Sequence, residues 1–89
     1  MLRISRDQTP GPRVVLRLEG RVVGPWVEEL LRTCEPLMGG DRGVSLDLAE
    51  VSYVDAEGAR ALRALQDRGA RLERESPFVY QQLRTMSGT

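Results

Sequence analysis

The chain opens with two segments in which apolar and polar residues alternate. The alternation covers Leu2–Arg6, and it resumes over residues 14–18 after a turn rich in proline and glycine at residues 9–12. A period of two residues is typical of a strand with one buried face, and a short turn between two such segments indicates a hairpin. The pattern therefore predicts two antiparallel strands at the start of the chain.

Apolar residues then recur three or four positions apart, as they do on one face of a helix. They are Trp26, Val27, Leu30, Leu31, Cys34, Leu37 and Met38. Gly24-Pro25 precedes them, and proline is well tolerated in a first helical turn. We expect an amphipathic helix whose apolar stripe, Trp26 and Cys34 included, lies in the core. Pro36 and the pair Gly39-Gly40 are expected to end it.

A third alternating segment covers residues 44–48 and predicts a strand that continues through residues 51–54. Asp55 is a good N-cap for a second helix over residues 56–67, because its side chain can accept from a backbone N–H of the first turn. Gly69 suits the C-terminal cap of the same helix. The middle of the chain thus predicts one strand followed directly by one helix.

A short strand at residues 70–73 is expected to lie parallel to the third strand, through a right-handed crossover. Ser76-Pro77 then opens a last helix that runs through about Met86. The predicted order is ββαβαβα, without a linker or an internal repeat. At 89 residues, 40% hydrophobic and 29% charged, the chain has the composition of a globular protein. We therefore predict a single α/β domain over residues 1–89.

The charged residues narrow the possible functions. Thirteen basic and thirteen acidic residues cancel, so the chain lacks the excess positive charge that gathers nucleic acid. All of the basic residues are arginine, and there is no histidine. The commonest general base and the commonest metal ligand are therefore missing. We expect no cofactor, no bound metal and no nucleic-acid partner.

The sequence also indicates where in the cell the protein is located. Cys34 is the single cysteine and cannot form an intramolecular disulfide. The chain starts without the apolar segment of a signal peptide, and no apolar run approaches the length of a membrane span. These features predict a cytoplasmic protein that reaches a membrane only through a partner.

An enzyme would need an acid and a base, and the best case that the chain offers pairs Asp47 or Asp55 with Glu57. The sequence has no phosphate-binding glycine loop and no metal-ligand cluster, and without histidine no Ser/His pair can form. We therefore expect no enzymatic activity. Cys34, on the apolar stripe of the first helix, is expected to be a buried, inert thiol.

The strongest functional signal lies where the third predicted strand runs into the second helix. Residues 44–48 follow the pattern apolar-x-Leu-Asp-Leu, and residues 51–54 lead from them into Asp55-Ala56-Glu57-Gly58. This arrangement resembles the STAS domain of bacterial anti-sigma-factor antagonists, in which a similar strand leads into an Asp-Ser-Ser-Gly or Asp-Thr-Ser-Gly loop. The resemblance covers nearly the whole chain. It implies a STAS-like domain with about four strands in a mixed sheet and three helices.

The chain departs from that family in two places. The family's domain usually has further residues that form a terminal strand, so we expect that strand to be absent or shortened here. In the loop, Asp55 and Gly58 match the family, whereas Ala56 and Glu57 replace its two hydroxyl residues. In the family, the residue just before the glycine is phosphorylated by a partner kinase. Glu57 occupies that position and cannot be phosphorylated.

Glu57 has two interpretations. In the first, its carboxylate imitates the phosphorylated loop, because a phosphate would add about −1.5 to −2 charge beside the positive end of a helix dipole. In the second, the carboxylate only stabilises the first helical turn, by roughly 0.3–1 kcal/mol, and pairs with Arg60.

The resemblance implies a regulatory module that binds a protein. Its partner-binding residues would be Asp55, Ala56, Glu57, Gly58, Arg60 and Arg63. Asp47 either supports this loop by a hydrogen bond or simply reaches the rim of the strand. The implied partner is a serine-kinase anti-sigma factor or a related regulator of transcription. One alternative is a STAS subunit that braces the ATPase of a lipid-transport ABC system. Another is a domain severed from a larger sensor protein, or a purely structural subunit of a complex.

Overall fold

The fold alternates strands and helices in the order that the sequence predicts. The computed structural model describes residues 2–7, 11–40 and 43–86. Its elements are β1 Leu2–Arg6, β2 Arg13–Val22, α1 Gly24–Met38, β3 Gly43–Val54, α2 Ala56–Asp67, β4 Arg71–Glu73 and α3 Pro77–Met86. This order confirms the predicted ββαβαβα arrangement. Part of the predicted hairpin turn, residues 8–10, lies outside the described residues.

The strands form one mixed sheet in the order β1-β2-β3-β4. β1 is antiparallel to β2, whereas β2, β3 and β4 are mutually parallel. The hairpin and the parallel pairing of β3 with β4 are therefore confirmed. Within the described part of the chain, β4 forms one sheet edge with three residues, and no strand follows α3.

The helices cover one face of the sheet. α2 packs against both α1 and α3, and each helix contacts at least one of the parallel strands. The side chains beneath them are fully buried aliphatic residues such as Leu16, Leu18, Leu46 and Leu48. The strand residues that alternate with them are mostly polar, as expected for a sheet with one open face. The core of the molecule therefore lies between this sheet and the helical layer.

Two details of α1 differ from the prediction. Pro36 lies inside the helix, which continues for two more residues to Met38, although proline cannot donate the backbone hydrogen bond of a helical residue. Trp26 is exposed, so its predicted place in the core was wrong. It lies in the first turn, and Leu30, one turn later, is fully buried. The indole therefore lies at the rim of the core.

Cys34 is buried, as predicted, and burial raises the pKa of its thiol to about 11. Next to it, Arg68 after α2 donates two hydrogen bonds to Glu35 on α1, at 3.0 and 3.2 Å. The guanidinium lowers the pKa of the Glu35 carboxyl, chiefly through these hydrogen bonds. α1 and α2 are thus joined by a polar contact at the end opposite the candidate site.

Candidate functional site

Asp55 binds the N-termini of two helices at once. Its Oδ1 accepts a hydrogen bond from the backbone N–H of Gly58 at 2.7 Å, which confirms the predicted N-cap of α2. Its Oδ2 accepts from the N–H of Gly24, the first residue of α1, at 2.9 Å. Val23 precedes α1 and provides no side-chain cap. Asp55 therefore supplies the acceptor that the chain does not provide next to α1 itself.

The end of β2 fixes the position of the loop formed by residues 55–58. The backbone N–H of Asp55 donates to the carbonyl of Val22 at 3.2 Å. Gly58 is buried against the same carbonyl, and a Cβ atom on Gly58 would collide with it. Glycine is therefore required here by the close approach of the two backbones. The Asp-x-x-Gly pattern thus has a structural cause that does not depend on phosphorylation.

Glu57 lies where the N-termini of α1 and α2 meet. It is exposed in the first turn of α2. A Cβ atom on Gly24 would lie 3.5 Å from Glu57 Oε2 and 4.0 Å from Asp55 Oδ2. The Glu57 carboxylate thus faces the positive ends of two helix dipoles. The pairing of Glu57 with Arg60 is not among the ion pairs formed by the described residues.

The other predicted loop and helix residues form an exposed surface. Ala56, Arg60 and Arg63 are all exposed on α2. Arg63 also lies 3.7 Å from Asp67 in an ion pair that is open to water, and such pairs contribute little to stability. We call Ala56, Glu57, Arg60 and Arg63 the α2 surface. Whether these residues bind a partner stays a prediction.

Asp47 lies away from this loop. Its Oδ1 accepts from the backbone N–H of Ala49 at 3.0 Å, and its carboxylate forms an ion pair with Arg74 at 3.2 Å. Arg74 follows β4 and has a φ of 60°. These contacts of Asp47 hold the connection from β4 to α3. Asp47 makes no hydrogen bond to residues 55–58, so the structure does not show the predicted support of the loop.

The carboxylates of Asp55 and Asp47 are both engaged in structural contacts. Both oxygens of Asp55 already accept backbone hydrogen bonds, and Asp47 is paired with Arg74. Neither is paired with Glu57 in the way that an acid and a base would be. Among the described residues, no group of acidic or cysteine side chains could hold a metal ion. In the same part of the chain, no helix is long and apolar enough to cross a bilayer.

Sequence reasoning missed the role of Gly24. It predicted the capping of α2 from neighbouring residues, whereas the acceptor for Gly24 comes from a residue later by 31 positions. The one available signal was Val23, because a helix that starts after an aliphatic residue has no local cap. That signal shows that a cap is needed, but it does not show which residue supplies it.

Comparisons with known proteins identify the fold. No protein-family profile and no curated protein matches the chain. Among solved structures, the anti-sigma factor antagonist SpoIIAA in its unphosphorylated form has a TM-score of 0.75 at 16% identity, over 96% of this chain and 81% of that one. An anti-sigma-factor antagonist STAS domain from Rhodobacter sphaeroides has a TM-score of 0.64 at 16% identity, over 85% and 92% of the two chains. The chain therefore has a STAS-like fold, as the sequence predicts.

A third similar structure is a longer protein. Mglu aligns with 83% of this chain at 36% identity and a TM-score of 0.59, and the aligned part is 19% of Mglu. This chain therefore spans about a fifth of Mglu. A segment of Mglu thus resembles the fold of this chain.

Proposed function

We propose that this chain is a non-enzymatic regulatory module that binds a partner protein through residues 55–58 and the α2 surface. The observation that carries the proposal is the position of Glu57. Its carboxylate lies beside Gly24, where the N-termini of α1 and α2 converge. The STAS-like fold, which the chain shares with the anti-sigma factor antagonist SpoIIAA, supports a regulatory module of this kind.

Glu57 acts in this proposal as a permanent negative charge. A phosphate at the same position would carry about −1.5 to −2 charge and would face the same two helix dipoles. The carboxylate supplies one negative charge that no kinase or phosphatase can add or remove. Ala56 offers no hydroxyl either. The module is therefore fixed in a state that resembles the phosphorylated loop.

The partner that we propose is a serine-kinase anti-sigma factor or a related regulator of transcription, in the cytoplasm of a bacterium. If phosphorylation weakens binding to such a kinase, a permanent charge at the same position weakens it too. The module would then bind a kinase of this type poorly, or bind a related regulator that tolerates the charge.

A second candidate is a STAS subunit that braces the ATPase of a lipid-transport ABC system. The absence of hydroxyls at Ala56 and Glu57 favours it, because such a subunit needs no phosphorylation switch. In this case the α2 surface would contact the ATPase, and the charge of Glu57 would have little effect on binding.

The test compares Glu57→Ser with the unchanged protein. The partner is first isolated on the tagged protein from the source organism, and its affinity is then measured with purified components by isothermal titration. For a serine kinase, we expect Glu57→Ser to raise the affinity about tenfold, or roughly 1.4 kcal/mol. We also expect the kinase to phosphorylate the new serine.

Two variants separate charge from shape. Glu57→Gln keeps the size of the side chain and removes its charge, so it should raise the affinity nearly as much as Glu57→Ser. Ala56→Ser restores a hydroxyl beside the charge and should leave the affinity within about twofold. An affinity unchanged by both Glu57 variants would contradict the fixed-charge mechanism, and an ABC ATPase as the isolated partner would support the second candidate.

A further inference from the structure

All of the aromatic side chains of this chain are exposed. The sequence has one tryptophan, two tyrosines and one phenylalanine. Their exposed fractions are 37% for Trp26, 39% for Tyr53, 58% for Phe78 and 47% for Tyr80. Among the described residues, the core is built from aliphatic residues and Cys34. Aromatic residues contribute most to stability when they are buried, and exposed rings that lie together are typical of surfaces that a partner covers.

Tyr53 and Phe78 line the same groove. Arg21 on β2 lies opposite Tyr53 on β3 in the register of the sheet. Phe78, in the first turn of α3, forms the other wall, and Ser52 completes the lining. The groove has a volume of about 350 Å³. We call these four residues the aromatic groove.

Hydrogen bonds hold the walls of the aromatic groove in place. The Ser76 hydroxyl accepts from the N–H of Val79 at 3.2 Å and caps α3. Gln82 on α3 accepts from the N–H of Val54 at 2.9 Å, which joins the helix to the end of β3. Ser52 donates to the carbonyl of Gly20 at 3.2 Å. The rings therefore stand on a surface that is formed before a partner arrives, which lowers the entropy cost of binding.

The positive charge of Arg21 indicates which kind of partner segment fits the groove. Arg21 forms no ion pair or hydrogen bond through its guanidinium with the described residues. None of the residues that line the groove is acidic. Glu19 and Glu50 lie opposite each other, two residues before Arg21 and three residues before Tyr53, and they do not line the groove. An arginine beside two aromatic rings is complementary to a peptide segment in which an acidic residue stands next to an apolar one.

We propose that the aromatic groove binds a segment of a partner protein in which an acidic residue is adjacent to an apolar one. The carboxylate pairs with Arg21, and the apolar side chain packs on Tyr53 and Phe78. Tyr53 precedes Asp55 by two residues, so the groove adjoins the loop. This proposal extends the proposed function. It rests on that function in one respect, namely that the molecule bound in the groove is a protein. It adds a second contact that selects partners independently of Glu57.

The test uses a library of short random peptides displayed on phage and selected on the purified protein. We expect the selected peptides to contain aspartate or glutamate within a few residues of a large apolar side chain. Synthetic copies should shift the amide signals of Arg21, Tyr53 and Phe78 in an NMR titration. Arg21→Glu and Phe78→Ser should each weaken their binding by about tenfold or more, as expected for central interface residues.

The matched control is Arg6→Glu, which makes the same charge change at the far end of β1, opposite Leu16. It should leave peptide affinity within about twofold. Thermal unfolding of each variant checks that the fold is intact, which is expected because Arg21 and Phe78 are exposed.

Several results would overturn the proposal. These are a failure to select any peptide, selection of peptides without acidic residues, and unchanged binding by Arg21→Glu. A dimer in light scattering that Phe78→Ser converts to a monomer would show that a second copy of this chain is the occupant, and would overturn it too. Because Glu57→Ser should not change peptide affinity, failure of the groove and failure of the fixed-charge loop are distinguishable.

Discussion

Replacing Asp55 by alanine removes the acceptor of two helix N-termini in one step. The variant loses the bond from Gly58 at 2.7 Å and the bond from Gly24 at 2.9 Å. Loss of an ordinary N-cap costs about 1 kcal/mol, and a hydrogen bond to a charged group contributes roughly 1.5–3 kcal/mol. The two bonds share one half-buried carboxylate, so we expect Asp55→Ala to lower the free energy of unfolding by about 2–3 kcal/mol.

A matched comparison isolates the second bond. Ser76 caps α3 alone, with one bond to the N–H of Val79 at 3.2 Å, so Ser76→Ala should cost only about 1 kcal/mol. Asp55→Asn keeps one carbonyl oxygen but presents an amide N–H₂ to the second N–H, and it should fall between the two. For a domain of this size, the loss at Asp55 corresponds to a decrease in Tm of roughly 10–20 °C.

The assay is urea unfolding followed by circular dichroism, in which the midpoint should fall and the slope should stay constant if only stability changes. The reasoning is refuted if Asp55→Ala costs no more than Ser76→Ala. That result would mean that the contact between Asp55 and Gly24 adds nothing in solution, and that the N-terminus of α1 is satisfied by water.

Two further predictions concern buried positions. Gly58→Ala should lower the free energy of unfolding by about 1–3 kcal/mol, because the new methyl group meets the Val22 carbonyl; urea unfolding measures this, and an unchanged midpoint would contradict it. The pKa of Cys34 rises from 9.0 to about 11 on folding. Its contribution to stability is therefore complete below pH 9 and is lost as the pH rises toward 11. The free energy of unfolding is measured across this pH range for the unchanged protein and for Cys34→Ala as the control. The contribution of the thiol should be lost with rising pH only in the unchanged protein.

The parts of the fold that sequence predicts are those with local causes. The caps by Asp55 and Ser76 act over three residues, and the alternation of β3 depends on adjacent positions. The contact of Asp55 with Gly24 spans 31 residues, and that of Asp47 with Arg74 spans 27. No local pattern encodes which distant group lies at the other end of such a bond. For this reason the sequence left two roles open for Asp47 and did not predict its contact with Arg74.

Exposure was harder to predict than secondary structure. Trp26 has helical spacing with Leu30 and so was assigned to the core, but spacing does not show where the sheet ends. In α3 the sequence did contain a signal. Val79 and Leu83 are one helical turn apart and face the core, which leaves Phe78 and Tyr80 on the flanks. That pattern could have indicated the exposed rings in advance.

The way in which Asp55 is held also links recognition to the completion of folding. The loop takes its shape only when β2 lies beside β3, because Val22 accepts the N–H of Asp55 and lies against Gly58. The N–H of Gly24 must be in place as well. A nascent or damaged chain in which these strands have not paired would present neither the converging helix ends nor the charge between them. Under the proposed function, a partner that binds this surface would therefore also distinguish native molecules from unfolded ones.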